Sequence, residues 1–333
     1  MQAILSKGTY GLDSVALAEQ PMPTIQAHEV LVRIQAVSLN QLDLMVAEGA
    51  FATPLPHVLG SDASGIVEAI GDQVTTLAVG DEVVTHFIQS WQSGALTPTD
   101  LSRRLGTSVS GVFSEYVALP ASSFVKVPRH LTTTEASTLP IAGLTAWEAL
   151  TTVGRLQPGQ TVLLQGTGGV SLFALLFAKA IGATVILLSG SDEKLAQAKA
   201  LGADETINYR TSPHWQQRVE ELTSGQGVDL ALEMSWTDLS KTISCMKIGG
   251  RIAVIGLLGG ANTDLSIFGV LQKNLTLTGL QVGPKSSFEA MNQALERYAI
   301  HPVIDRVFPF ADYAEALTYF QQGKHFGKVV IQF

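Results

Sequence analysis

An α/β protein of two domains, a small β-barrel joined to a doubly wound parallel sheet, is what three observations predict for this chain. Its 333 residues exceed the length at which a single core usually stops growing. Up to about Lys126, short β-like runs recur between glycines and prolines. From Thr161 onward, strand-like and helix-like segments alternate, as a parallel sheet requires.

The β-like runs of the first part fall at residues 30–34, 65–70, 81–85, 113–117 and 124–127, a spacing that predicts a barrel or sandwich. Residues 89–110, polar and punctuated by Pro98, read as a surface loop or lid with one helical turn near 100–105. Residues 133–153 predict one or two helices broken at Gly143, and Pro158-Gly159 turns the chain into the first strand of the second part. Strands follow at 161–165, 184–189, 205–209, 228–234, 251–255 and 274–280, with helices at 169–181, 192–201, 213–223 and 237–246 between them. Six such strands make a doubly wound sheet, whose ligands bind at the carboxyl ends of the strands. The tail offers a helix at 286–299, a strand at 303–308, a helix at 311–321 and a strand at 328–333, and is expected to rejoin the first domain. The expected divisions are therefore 1–125, 126–282 and 283–333.

The second part is organised around its first strand and the turn that follows. Thr161–Gln165 is leucine-rich and β-branched, and it runs into Gly166, Thr167, Gly168, Gly169, Val170 and Ser171 before an apolar run to Ile181. Glycines permit backbone conformations closed to other residues, and the helix after them aims its free amides at whatever lies above the turn. A second strand after Gly182 completes the roughly 30-residue βαβ unit of a dinucleotide fingerprint, with Ser171 replacing its third glycine. A pyrophosphate seat is predicted there.

Composition narrows the function. With 46% hydrophobic and 15% charged residues the chain forms packed cores, and a net charge of −8 without a basic cluster argues against nucleic acid or an anionic membrane as partner. Cys245 is the one cysteine, which excludes a disulfide framework and a thiolate zinc cage. The seven histidines stand without metal spacing. The apolar stretch 170–188 is broken by Lys179 and Gly182, so no membrane span is expected, and the first residues lack the pattern of a secretion signal. The cytoplasm is the expected location.

Several blocks in order resemble the medium-chain dehydrogenase/reductase superfamily on its zinc-free, quinone-oxidoreductase-like side. They are Pro56 to Asp62 with Gly65 to Val67, Val79 to Val83, Gly111 to Tyr116, Ala178-Lys179 with Gly182-Ala183, Leu201 to Asp204, and Phe326 to Val330. The resemblance covers nearly the whole chain. It implies a GroES-like catalytic domain, a Rossmann six-stranded domain, a cofactor cleft and a homodimer paired through the last Rossmann strand. Where the metal-dependent relatives carry zinc ligands, this chain aligns Asn40, Ser61 and Ile141, so no metal is expected. Asp43 matches an aspartate behind that metal, and Phe51 takes the place of the tyrosine of enoyl reductases.

An NAD enzyme usually ends its second strand with an acidic residue that accepts from the ribose 2′-hydroxyl. Ser189 stands there instead, followed by Gly190, Ser191 and Lys194, which offer hydroxyls, a helix start and a cation to a 2′-phosphate. The resemblance adds Tyr209 at that phosphate, Thr145 at the nicotinamide, and Gly256, Leu257 and Lys328 to the cofactor set. NADPH is the expected cofactor.

Without zinc, the site offers neutral donors, for which Asn40, Gln41 and Ser61 are the candidates. A quinone or an α,β-unsaturated carbonyl spreads the added charge over a conjugated system, so hydrogen bonds to its oxygen suffice. The expected activity is NADPH-dependent reduction of such an apolar small molecule. Zinc-free alcohol or aldehyde oxidoreduction and non-catalytic NADPH sensing are the competing readings. Trp91, Phe51, Phe87 and Trp147 are candidates for an apolar pocket or for ordinary core.

Overall fold

The computed structural model describes residues 1–256, 259–260 and 262–333. Two compact units divide the chain, Met1–Leu144 with Gly283–Phe333, and Thr145–Val282.

The first unit begins with β1 (Gln2–Ser6), β2 (Val15–Glu19), β3 (Glu29–Ser38), α1 (Gln41–Ala47), β4 (His57–Val58), β5 (Asp62–Ile70) and β6 (Glu82–Thr85). It continues through α2 (Pro98–Leu101), β7 (Tyr116–Pro120), β8 (Phe124–Lys126) and α3 (Thr133–Ala136). After the second unit the chain returns to this one at Gly283. β3 alternates buried and half-buried residues, with Val30, Val32, Ile34 and Ala36 inward, as a strand with one face on a core must.

The expected first boundary at residue 125 moves to Leu144. Residues 126–144 pack on the larger sheet of the first unit: α3 lies against β3, β5 and β6, and Ser64 Oγ donates to the Thr133 carbonyl. The helical region around Gly143 also differs from a simple break. Backbone turns at Leu139–Gly143 and Ala149–Val153 widen to a π-helical spacing on either side of α4 (Leu144–Glu148), and Pro140, which has no N–H, stands in the first of them. The strand expected at 113–117 lies at Tyr116–Pro120, because the Phe113 backbone is engaged elsewhere. Its N–H donates to Leu59 and its carbonyl accepts from Ile4.

The second unit contains β9 (Thr161–Gln165), α5 (Gly169–Ile181), β10 (Thr184–Ser189), α6 (Asp192–Ala200), β11 (Glu205–Asn208) and α7 (Trp215–Leu222). β12 (Val228–Glu233), α8 (Leu239–Ser244), β13 (Met246–Val254), α9 (Ile267–Gln272) and β14 (Thr276–Gly279) complete it. Among the described residues these six strands form one parallel sheet in the order β11-β10-β9-β12-β13-β14, with successive strands added on one side of β9 and then on the other. The inner strands are buried on both faces. Leu163, Ile186, Ile207 and Ile252 pack with Trp215 and Val219 in one core. Phe177 on α5 stacks beside Phe173 and meets Trp147 edge-on, which makes Trp147 a packing residue of this unit. α5 ends at Gly182, whose left-handed φ of 91° lets its amide close on the Ala178 and Lys179 carbonyls.

The returning segment supplies α10 (Lys285–Tyr298), β15 (Ile304–Pro309), α11 (Tyr313–Gln321) and β16 (Lys328–Gln332). β16 pairs antiparallel with β3, and β3 pairs antiparallel with β5. This brings the last residues of β3, the first of β5 and the first of β16 together. Ser38 is the register partner of Asp62 on one side and Val330 on the other.

Candidate functional site

Two places carry the residues singled out by the sequence, one in each unit.

In the second unit, Gly166 takes a φ of 78° at the carboxyl end of β9, and its N–H donates to Leu188 on β10. A Cβ added at Gly166 or Gly168 would meet nothing within 4 Å, so the space over the turn is open. No side chain caps α5 at Gly168, which leaves the first-turn amides pointing into that space. Ser171 turns its hydroxyl back onto the Gln165 carbonyl at 2.7 Å, which is how a serine fits where the fingerprint has glycine. Thr167 is buried beside it. This cradle suits a dinucleotide pyrophosphate.

At the end of β10, Ser189 is buried and Ser191 caps α6 by accepting from the Lys194 N–H. A Cβ on Gly190 would come within 2.8 Å of both the Tyr209 hydroxyl and Arg210 Nε, so the missing side chain is what lets the phenol and the guanidinium close over this turn. Asn208 ties the following turn: its Nδ2 donates to Asp192 Oδ1 and its Oδ1 accepts from the Arg210 backbone N–H. Sequence reasoning missed Arg210. Its adjacency to Tyr209 was the available signal. Gly256 lies so close to the Met234 carbonyl that no Cβ fits, and its own carbonyl accepts from Trp236 Nε1 at 2.6 Å. Leu257 lies outside the described residues. Thr145 is buried in α4.

A network that the sequence did not announce braces these strand ends. The buried Glu233 carboxylate accepts from Gln165 Nε2 at 2.9 Å and from Thr242 Oγ1 at 2.8 Å, while Gln165 Oε1 accepts from the Met234 N–H.

In the first unit, the convergence of β3, β5 and β16 builds a buried polar cluster. Asn40 is the N-cap of α1 and Asp43 its third residue, and Asp43 Oδ2 accepts from the Asn40 backbone N–H at 2.7 Å. Asn40 Nδ2 donates to Asp62 Oδ2 at 2.9 Å and to Ser61 Oγ at 3.2 Å. Ser61 Oγ donates to Asp43 Oδ1 at 3.1 Å. Lys328 Nζ donates to Asn40 Oδ1 and to the Leu39 carbonyl, both at 2.7 Å, and lies 3.9 Å from Asp62 Oδ2. Asp62 Oδ2 also accepts from Ser38 Oγ, while Asp62 Oδ1 is buried without a partner.

Burial dominates the electrostatics of this cluster. It pushes the Asp43 carboxyl up from 3.8 to about 7, helped by the Asp62 charge and opposed by the Asn40 amide and Lys328. Asp62 is likewise raised to about 6 by burial, against the pull of Lys328 and Asn40. Burial lowers Lys328, and the two carboxylates counter it. The two acids and the ammonium therefore titrate as one coupled set, with burial favouring the uncharged form of each.

The structure brings Asn40, Ser61 and Lys328 together and leaves Gln41 exposed on the first turn of α1. Lys328, expected at the cofactor, is buried within this cluster. Zinc does not fit the position. An amide, a hydroxyl and the hydrocarbon of Ile141 are poor donors for it, and an ammonium already stands against Asp62. Among the described residues no three His, Cys, Asp or Glu side chains gather in a metal-binding group. His57 and His86 bond the Gly106 and Gly283 carbonyls. Trp91 and Phe87 are buried, while Phe51 is exposed.

Known proteins resemble this chain along its length. The family model for the alcohol dehydrogenase GroES-like domain matches residues 26–129, and that for zinc-binding dehydrogenases matches residues 169–297. A zinc-type alcohol dehydrogenase-like protein of Schizosaccharomyces pombe is 40% identical over 97% of this chain and 96% of its own. Among solved structures, a provisionally named alcohol dehydrogenase of Sinorhizobium meliloti 1021 is 41% identical with a TM-score of 0.94, covering 100% of this chain and 98% of the other. An NAD-dependent alcohol dehydrogenase is 34% identical with a TM-score of 0.91, and a mycobacterial protein complexed with NADPH is 27% identical with a TM-score of 0.85. Both cover 100% of each chain.

Proposed function

Because this chain belongs to the medium-chain dehydrogenase/reductase superfamily and is an oxidoreductase of that superfamily, we propose that it reduces quinones or α,β-unsaturated carbonyls with NADPH and without a metal. The family binds a nicotinamide cofactor, and the glycine cradle of this chain fits one. Bound NADPH supplies the hydride. The observation that carries the reading is the composition of the cluster at the metal position, where neutral donors and a buried ammonium stand in place of zinc ligands. Such donors suffice for an acceptor whose developing charge is delocalised.

The preference for NADPH is supported by the end of β10. No carboxylate stands at Ser189 to meet a ribose 2′-hydroxyl, Tyr209 and Arg210 bring a phenol and a cation over that turn, and Lys194 follows in the first turn of α6. Gly166, Thr167, Gly168, Gly169 and Val170 cradle the pyrophosphate. Asn40, Gln41 and Ser61 are the polar groups assigned to the acceptor end.

The chain pairs with a second copy of itself along β14, the edge strand of its sheet among the described residues. α9, which leads into that strand, exposes Ile267, Phe268 and Leu271 at 66–71%, an apolar face that an isolated protomer would leave in water. Among the described residues no helix is long and apolar enough to cross a membrane. The cytoplasm is the proposed location.

The test is initial-rate NADPH oxidation over a panel of quinones and enones, with metal analysis of the same sample. Turnover with stoichiometrically negligible zinc supports the reading. Activity that disappears on chelation and returns with zinc, or turnover of simple alcohols alone, overturns it.

A further inference from the structure

We propose that Lys328 is a positioning residue: its ammonium, bonded to Asn40 Oδ1, orients and polarises the Asn40 amide, so that this amide meets the negative charge developing on the acceptor oxygen in place of a metal ion. The proposal rests on the reductase reading above and assigns the cation that this reading otherwise lacks.

The orientation of Asn40 is enforced from both ends. Its oxygen faces an ammonium at 2.7 Å and its nitrogen faces the Asp62 carboxylate at 2.9 Å. A flipped amide would set NH2 against the ammonium and a carbonyl oxygen against the carboxylate, two repulsions in a buried site. An asparagine at the end of a loop is thereby held in one rotamer and one flip state. The bond to an ammonium also draws electron density through the amide toward oxygen, which makes the Nδ2 hydrogens stronger donors.

One of those hydrogens is held only by long bonds, shared between Ser61 Oγ at 3.2 Å and the Ser38 carbonyl at 3.5 Å, and can be given up to a better acceptor. The bond to Asp62 is charge-assisted and short, whereas the bond to Ser61 spans 3.2 Å and ends on a neutral hydroxyl. The two side chains also differ in access. Asn40 retains 7% exposure while Ser61 has 0%, so Asn40 is the residue of the pair that reaches the surface. During reduction the hydride adds to the far carbon of the conjugated double bond, the π pair moves to the carbonyl oxygen, and a proton from water completes the product. The polarised N–H stabilises that oxygen as its charge grows.

Lys328 satisfies the demands of such a role. It is 3% exposed, so its field is not screened by solvent, and its stem enters from β16, a strand paired directly to β3. Asp62 and Asp43 are the charged groups facing it, and their carboxylates counter the cost of burying its ammonium.

The test compares wild type with Lys328→Arg, Lys328→Met and the double variant Lys328→Met/Asp62→Asn, in which ammonium and facing carboxylate are removed together so that folding does not depend on an unpaired buried charge. Four readouts are taken: thermal unfolding, NADPH affinity by fluorescence titration, kcat and KM on the best enone or quinone, and the Asn40 side-chain amide resonances in selectively 15N-asparagine-labelled protein. Loss of a charge-assisted bond predicts kcat down by roughly ten- to a hundredfold in the double variant, with NADPH affinity and KM little changed, and partial activity in Lys328→Arg. The Asn40 amide protons are expected to move upfield and exchange faster when the ammonium is removed. Wild-type kcat in the double variant would mean that Lys328 only balanced charge, and a loss of NADPH affinity parallel to kcat would make it a cofactor ligand. Either result overturns the proposal, as does an unchanged Asn40 resonance. If wild type binds NADPH and reduces none of the acceptors, the reductase reading alone fails, and the amide resonances still decide whether Lys328 holds Asn40.

Discussion

Ser61 Oγ donates to Asp43 Oδ1 across 3.1 Å, and this hydroxyl is part of a network in which the Asp43 carboxyl is raised to about 7. Asp43 therefore binds its proton more tightly in the folded chain than in the unfolded one. The stabilisation it brings is complete below about pH 4 and is lost as the pH rises through about 7. Asp62, raised to about 6, acts in the same sense, whereas His86, lowered to about 4 by burial, acts in the opposite one. A comparison of variants isolates the first contribution. Measured by urea unfolding, wild type is expected to lose stability relative to Asp43→Asn between pH 4 and pH 7. A difference that stays flat across that window would show Asp43 to be ionised throughout.

The phosphate end of the cofactor is tested at Lys194 and Arg210. Each cation offers a charge-assisted bond, so Lys194→Ala and Arg210→Ala are each expected to weaken NADPH by roughly ten- to a hundredfold while NADH changes little. Isothermal titration with both nucleotides reads the difference. Equal losses for the two would remove the assignment of a 2′-phosphate to this turn.

Gly60, the residue before Ser61, has a φ of 101°, and a Cβ there would overlap the Phe113 ring. Gly60→Ala should cost about 1–3 kcal/mol through overpacking. The strained backbone adds about 1–2 kcal/mol. Denaturant unfolding measures the sum. A variant as stable as wild type would mean that β5 begins differently from the geometry described.

The apolar face of α9 predicts the oligomeric state. Phe268→Glu/Leu271→Glu places charge on side chains that are exposed within one protomer, so it should leave folding of the protomer intact and shift sedimentation from dimer to monomer. Dimers that persist with this change would locate the interface elsewhere.

Much of the α/β half was legible because its signals are local. Thr161–Gln165 with Gly166 and Gly168 is a strand, a turn and a helix start written within a few residues, and all six strands of the sheet stand where the alternation puts them, to within a few residues at most ends. β13 is the exception, starting at Met246 rather than 251 because the chain enters the ladder beside Val228 through Gly249 and Gly250. The division near residue 125 was misread for a related reason. Nothing in residues 126–144 states that their partners are β3, β5 and β6.

The candidate site was legible in membership and not in wiring. Asn40 and Ser61 stood out by resemblance, yet Asp62 went without a role although it is their neighbour, and Arg210 was passed over beside Tyr209. Lys328, in a terminal strand, bonds a residue nearly three hundred positions away.

By itself the sequence determined the order of strands and helices, the glycine turn that opens over α5, the lack of zinc-binding donors at Asn40, Ser61 and Ile141, and the lack of a carboxylate at Ser189, because each depends on residue type and near neighbours. Only the tertiary structure decided that a lysine from the last strand is the cation beside Asn40, that two buried acids stand with it, and that Arg210 closes over Gly190. Those relationships arise when β16 and β5 pair with opposite edges of β3, or when β10 and β11 align their carboxyl ends. Burial then sets the strength of every charge the pairing has brought together.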